Sequence, residues 1–169
     1  MNIRKLKQKD APFMLEWMHD PFVTRFLRVD FASKTIEDCK MFIELSQNSH
    51  INMHMAVTDD NDIYMGTASL KNINNGMAEF AIVIRKEAMG EGYSRYVMEE
   101  IIRIGLDKLK LNLIYWFVSP ENKRAVKFYD KNGYKRVENI MDCTSLATVF
   151  NGEEYQKIEA GNYIWYIVK

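Results

Sequence analysis

Two short segments of the chain carry residue types that could do chemistry in concert. The first is Ala88-Met89-Gly90-Glu91-Gly92-Tyr93-Ser94, which leads into a strongly helical stretch. A helix start leaves backbone N–H groups without partners and carries a partial positive charge. Glycine lets a phosphate approach the main chain closely. The amides of residues 90 to 94 are therefore a candidate cradle for a pyrophosphate, one that needs no lysine. The same residues also read as a tight strand-to-helix turn that binds nothing. Two rival phosphate motifs fail on inspection. A dinucleotide fingerprint opening at Gly90 needs glycine or alanine where Arg95 stands. A Walker-type Gly-Lys-Ser/Thr does not occur in the chain.

The second segment runs from Asn122 to Tyr134. Asn122 and Tyr129 are seven residues apart, about two helical turns, and so share a face. Ala125 lies between them and leaves room for something slender. An amide, a gap and a phenol along one ridge would flank an extended, amide-rich ligand. Tyr129 also reads as a packed aromatic, and Lys123 and Arg124 as ordinary solvated cations. No metal site is expected. His50 and His54 lie in a methionine-rich stretch without ligand spacing, and His19 suits a polar cap. Cys39 and Cys143 make neither a disulfide scaffold nor a Cys-rich zinc site and read as thiols in a reducing compartment.

The elements that must position these segments follow from periodicity and punctuation. Asn2 to Leu6 reads as a strand. Asp10 looks like the N-cap of a helix with Pro12 in its first turn and Phe13, Met14, Trp17 and Met18 on its apolar face. His19-Asp20-Pro21 breaks it. Thr35 and Asp38 form a capping-box pattern ahead of a second helix, with Ile36, Cys39, Phe42, Ile43 and Leu45 as its stripe. Strands follow at Met53 to Thr58, Ile63 to Leu70 and Met77 to Arg85, with turns at 59–62 and 74–76. A helix beginning near Gly92 uses Val97, Met98, Ile101, Ile102, Gly105 and Leu109. Leu113 to Val118 is a short apolar strand. Ser119-Pro120 then resembles a helix start, with Gly133 at the far end as a C′ glycine. Tyr134 to Val137 and Tyr163 to Val168 are strand candidates. A meander followed by helical crossovers predicts a mixed α/β sheet with helices on both faces.

Composition sets the outer limits. The chain has 169 residues, 47% of them apolar, which suits a single domain over 1–169 with a sizeable core. Its 23 Lys and Arg balance 23 Asp and Glu, so no global attraction for nucleic acid or anionic membrane is expected. No secretory h-region and no membrane span stands out, and the expected setting is cytoplasmic.

Together the two segments resemble the GNAT superfamily of N-acetyltransferases. That family's loop, Gln/Arg-x-x-Gly-x-Gly/Ala, aligns with Met89 to Ser94, with Met89 at the Gln/Arg position and Ser94 at the small one. Its later motif, Asn-x-x-Ala-x-x-x-Tyr-x-x-x-Gly-Phe, aligns with Asn122, Ala125, Tyr129, Gly133 and Tyr134. The strands at Ile63 to Gly66 and Ala78 to Phe80 are also similar, so the resemblance spans roughly residues 2–137. It implies a mostly antiparallel sheet splayed between strands 77–85 and 113–118, with acetyl-CoA in the splay. Its pyrophosphate would rest on the amides of Met89, Gly90, Glu91, Gly92, Tyr93 and Ser94. Asn122 and Ala125 would meet the cofactor arm, and Lys123 and Arg124 would reach its phosphates. A backbone N–H at Val83 or Ile84, at a family bulge, would face the oxyanion. Glu79 would be the general base and Tyr129 the acid for the thiolate.

The acceptor is less defined. Residues 17–26 resemble the branch containing ribosomal-protein-alanine, aminoglycoside, sugar and polyamine acetyltransferases. Arg25 and Arg28 are placed to meet an acidic acceptor. The segment from Cys143 to Gly161 would close an open groove, which favours the primary amine of a small molecule. Acetylation of a protein N-terminus or lysine, and a noncatalytic CoA-binding module, are the alternatives. The aromatic strand Tyr163, Trp165 and Tyr166 would line the acceptor pocket or a homodimer contact.

Overall fold

The computed structural model describes residues 1–137 and 162–169. β1 (Asn2–Lys5) leads into a 3-10 turn, Gln8–Asp10, and then α1 (Ala11–Met18). Asp10 stands at the N-cap position of α1, as expected, but its side chain does not cap the helix. Its backbone is already helical, and its carboxylate reaches back to the Lys7 N–H at 2.8 Å. The same carboxylate holds the Arg4 guanidinium with two bonds of 2.7 and 2.8 Å, tying β1 to α1. α2 (Pro21–Thr24) begins at Asp20, whose side chain caps the Phe22 N–H. His19 sits at the end of α1 with its Nε2 2.8 Å from the Lys34 carbonyl.

α3 (Ile36–Gln47) starts at the expected capping box of Thr35 and Asp38. Cys39 and Ile43 are buried, whereas Leu45 is 68% exposed and lies off the stripe. The meander follows as β2 (Met53–Thr58), β3 (Tyr64–Asn74) and β4 (Met77–Ile84). α4 (Tyr93–Arg103) buries Val97, Met98 and Ile101. Each such side chain contributes roughly 1.5–3 kcal/mol before conformational entropy is counted. A π-helical segment, Ile104–Lys108, widens the end of the helix and leaves Leu109 outside the core.

β5 (Leu113–Val118) precedes α5 (Lys123–Lys131). The start at Ser119-Pro120 is not used; the Asn122 side chain is the cap. Gly133 ends α5 with φ +74°, as the bonds Gly133 N–H to Asp130 O and Tyr134 N–H to Tyr129 O show. β6 (Lys135–Val137) and β7 (Ile164–Val168) complete one seven-stranded sheet in the order β1-β2-β3-β4-β5-β7-β6. Every neighbouring pair is antiparallel except β4 with β5, so the sheet is mixed and mostly antiparallel. α4 and Tyr129 of α5 share a core with one face. α1 and α3 pack on the other. No helix among the described residues is long and apolar enough to cross a membrane. Cys143 and the groove-closing segment lie outside the described residues.

Candidate functional site

The one parallel pairing among the described residues defines the site. β4 and β5 are matched at Met77–Leu113, Ala78–Ile114 and Glu79–Tyr115, and no further. Beyond that rung β4 stays paired to β3 as far as Ile84, and β5 to β7 as far as Val118. The strands therefore part, leaving the edges of residues 80–84 and 116–118 on either side of a wedge. Strand edges present unpaired N–H and C=O groups that an extended amide chain can match. Successive N–H groups point to opposite edges, so one of Val83 and Ile84 points at β3 and the other into the wedge. The expected bulge at Val83 is absent: pairing with β3 runs unbroken from Ile84 to Glu79, and the shift lies at Lys71–Asn74. The donor arises from strand alternation instead.

The glycine loop closes one bank. Arg85 anchors its base, buried against α1, with three bonds to Glu16 at 2.7, 2.9 and 3.2 Å and one to the Tyr64 carbonyl at 3.1 Å. A 3-10 turn, Lys86–Ala88, buries Ala88 and hands over to Met89. Gly90 and Gly92 adopt φ of +96° and +87°, left-handed values that disfavour side chains. A Cβ on Gly90 would meet nothing within 4 Å, and one on Gly92 only Met1 Cε at 3.8 Å, so the space above the loop is open. Gly92 caps α4 without a side-chain bond, and the first turn holds no acid. The N–H groups of Tyr93 and Ser94 thus stand beside a positive helix end with no resident anion in that turn. Gly90, Glu91 and Gly92 are exposed; Tyr93 packs its ring on the core.

The opposite bank is α5. Asn122 Oδ1 accepts the Ala125 N–H at 3.2 Å, so it sets the start of the helix rather than sitting on its face. Arg124 crosses to the loop, its Nη1 2.8 Å from Met89 Sδ. A cation therefore stands where the loop residue itself is neutral. Sequence could offer Lys123 and Arg124 only as a pair; the structure brings Arg124 to the loop, whereas Lys123 is exposed.

Tyr129 and Glu79 lie on opposite faces of the sheet at the vertex. Tyr129 is 7% exposed, with ring centroids 5.3 Å from Trp116 and 5.0 Å from Tyr166. Burial pushes its phenol above the ordinary value, and the neighbouring tyrosines add to that. Its hydroxyl makes no hydrogen bond among the described residues. Glu79 alternates with Met77 and Val83 toward the α1 and α3 face. It is not a solvated strand glutamate. Its side chain is 13% exposed and its Oε1 pairs with Lys71 at 2.7 Å. No ion pair to Oε2 occurs among the described residues.

Trp116 is the residue that sequence reasoning missed. It is the first residue of β5 past the vertex, 2% exposed and stacked on Tyr166 at 5.6 Å. Its Nε1 is buried without a partner among the described residues. Such a donor costs about 1–3 kcal/mol when left unmade. A wedge with unpaired strand edges, an open N–H cradle, a bridging arginine and an unmet donor beside Tyr129 fits a ligand with a diphosphate and successive amides, as acetyl-CoA has. An aromatic in a short apolar strand carries no sequence signal for this. Among the described residues no three of His, Cys, Asp and Glu gather as a metal-binding group.

Comparisons with known proteins agree with this geometry. The acetyltransferase (GNAT) domain family matches residues 1–135. A Bacillus licheniformis protein named N-acetyltransferase p20 is 24% identical over 147 residues, covering 84% of this chain and 83% of that one. The spermidine N(1)-acetyltransferase of Vibrio cholerae is 31% identical over 114 residues, covering 63% and 66%. The crystal structure of a Vibrio cholerae spermidine N-acetyltransferase with CoA and spermine superposes with TM-score 0.73 at 22% identity, covering 80% and 81%.

Proposed function

The chain belongs to the acetyltransferase (GNAT) family, and from that premise we propose that it moves the acetyl group of acetyl-CoA onto the primary amine of a small molecule by direct attack in a ternary complex. The observation that carries this reading is the parting of β4 and β5 at Glu79, with Glu79 and Tyr129 on opposite faces of the gap. A thioester threaded there has a nucleophile side and a leaving-group side.

Each group has a defined task. An alkylammonium holds its proton with a pKa of about 10, so the amine must shed one before attack. Glu79 Oε2, directly or through water, takes it. The amine nitrogen then bonds to the carbonyl carbon while a wedge-facing N–H of Val83 or Ile84 stabilises the oxygen. The C–S bond breaks on the Tyr129 side, the sulfur leaves as thiolate, and the nitrogen gives its second proton to solvent water as the amide forms. A phenol raised by burial stays protonated, and a thiol ordinarily loses its proton near about 8.5. Full transfer from Tyr129 to sulfur is therefore uphill. Its hydroxyl acts by hydrogen bonding to the developing thiolate. Orientation by the two banks supplies the larger share, about 7–11 kcal/mol against roughly 3–5 for one placed proton donor.

The test is thiol release from acetyl-CoA across a panel of small amines and lysine-bearing peptides, with the acetylated product identified by mass. Release with small amines supports the proposal. Release with peptides alone reassigns the acceptor to protein. Tight CoA binding with a silent panel reassigns the chain to a binding module.

A further inference from the structure

The loop joining α2 to α3 carries positive charge that no described carboxylate neutralises. Arg28 lays its guanidinium over the Phe117 ring, 4.4 Å from the centroid. Arg25 lies 4.5 and 4.9 Å from the rings of Phe22 and Phe26. Lys86, at the base of the glycine loop, lies 5.7 Å from the same Phe22 ring. All three cations are exposed. The nearby acids point to backbone instead: Asp20, ahead of α2, accepts the Phe22 N–H at 2.8 Å, and Asp30 of the loop accepts the Ala32 N–H at 3.0 Å. Acids on adjoining elements are already matched, Glu16 with Arg85 and Glu79 with Lys71, each at 2.7 Å.

The position of Arg28 relates this charge to the site. Phe117 follows Tyr115 on β5 and shares its face, and Tyr115 pairs with Glu79. Arg28 therefore stands over β5 about 7 Å beyond the vertex, on the face where Glu79 lies. A guanidinium resting on an aromatic ring keeps the N–H groups at its rim free, in a fork that matches two oxygens of one anion.

We propose that the acceptor is an amine that also carries an anionic oxygen group, a carboxylate or a phosphate, which Arg28 holds while the amine nitrogen reaches the vertex. This rests on the acetyl-transfer reading and narrows its substrate class. Arg25 and Lys86 add to the field that draws such a molecule in. The same charges repel a polycation, so a polyamine is disfavoured here.

The experiment assays the full chain with acetyl-CoA and matched amines of one chain length, ending in carboxylate, phosphate, primary amide or alcohol, with spermidine alongside. The anionic acceptors are expected to exceed the neutral ones by about tenfold or more in kcat/KM, with spermidine poorest. The carboxylate and phosphate arms identify which anion is read. Rising ionic strength shrinks the advantage. Arg28→Gln brings the anionic-to-neutral ratio toward one, Arg28→Lys retains part of it, and both keep the wild-type unfolding midpoint because the side chain is exposed. A wild-type preference for neutral or polycationic amines overturns the proposal, and so does a ratio that survives Arg28→Gln. In either case acetyl transfer itself stands. Silence across every amine removes both.

Discussion

Tyr129 has its ring fixed by Trp116, Tyr134 and Tyr166, while its hydroxyl is left unengaged among the described residues. Tyr129→Phe keeps the packing and removes only the donor. It is expected to lower kcat by about 10²-fold or more with little change in acetyl-CoA affinity. Steady-state kinetics beside calorimetric titration check both halves, and an unchanged kcat removes the donor role. Arg124 gives a second prediction at this scale. Arg124→Ala is expected to weaken acetyl-CoA binding by about tenfold, since a charged hydrogen bond to phosphate contributes about 1.5–3 kcal/mol, whereas Lys123→Ala changes little. Equal losses in titrations of the two variants would return Arg124 to the solvated surface. Asp10 shows the limit of local reading. Its spacing ahead of Ala11-Pro12 suits a cap, but Arg4 on a neighbouring strand claims the carboxylate. The two lie six residues apart, but they meet only once the chain turns between β1 and α1.

Among the elements, the loop from Lys86 to Gly92 and the start of α4 carry the cofactor proposal. Gly92→Ala and Gly92→Asp share the cost of a side chain at φ +87°, of order 1 kcal/mol or more. Only the aspartate adds charge against a diphosphate. Both variants are expected to melt earlier to a similar degree, with acetyl-CoA binding lost far more in Gly92→Asp. Calorimetry showing equal affinity in the two would sink the loop assignment. The start of α5 was legible as to existence but not position. Ser119-Pro120 and Asn122 are both sound helix starts by local chemistry. Asn122 serves because its Oδ1 reaches the Ala125 N–H, and the chain leaving β5 uses Pro120 in a turn instead. Leu45 and Leu109 were misplaced for a related reason. Periodicity reports a stripe, but α3 ends against solvent and the π-helical turn after Arg103 rotates the following residues out of phase.

For the molecule as a whole, net charge near zero leaves stability against acid to particular groups. His54 on β2, its Nδ1 2.7 Å from Ser69 Oγ and its ring against Phe42, is held down to about 4, by burial first and Lys71 second. Asp38, Asp130 and Glu100 are held below their ordinary values, chiefly by hydrogen bonds from Thr35, Arg136 and Arg103 respectively. The signs agree. Between the unfolded histidine value of 6.5 and about 4 the unfolded chain binds a proton that the folded chain refuses, so stability falls as pH falls. Below the usual carboxylate range the acids add to the loss. Thermal midpoints are expected to decline in two stages on acidification, and His54→Gln to flatten the one above pH 4. A midpoint constant from pH 7 to 4 in the wild type contradicts this.

Sequence alone indicated the order of the main strands and helices and the glycine turn ahead of α4, because each rests on local periodicity or turn chemistry. Tertiary structure decided which carboxylate pairs with which cation, that Arg124 rather than Lys123 meets the loop, that Glu79 stands where β4 and β5 part, and that Trp116 keeps an unmet donor beside Tyr129. These depend on strands and helices far apart in the chain coming to share one rung or one face. Local sequence encodes the preference of each segment, whereas the meeting of segments is fixed only by how they pack.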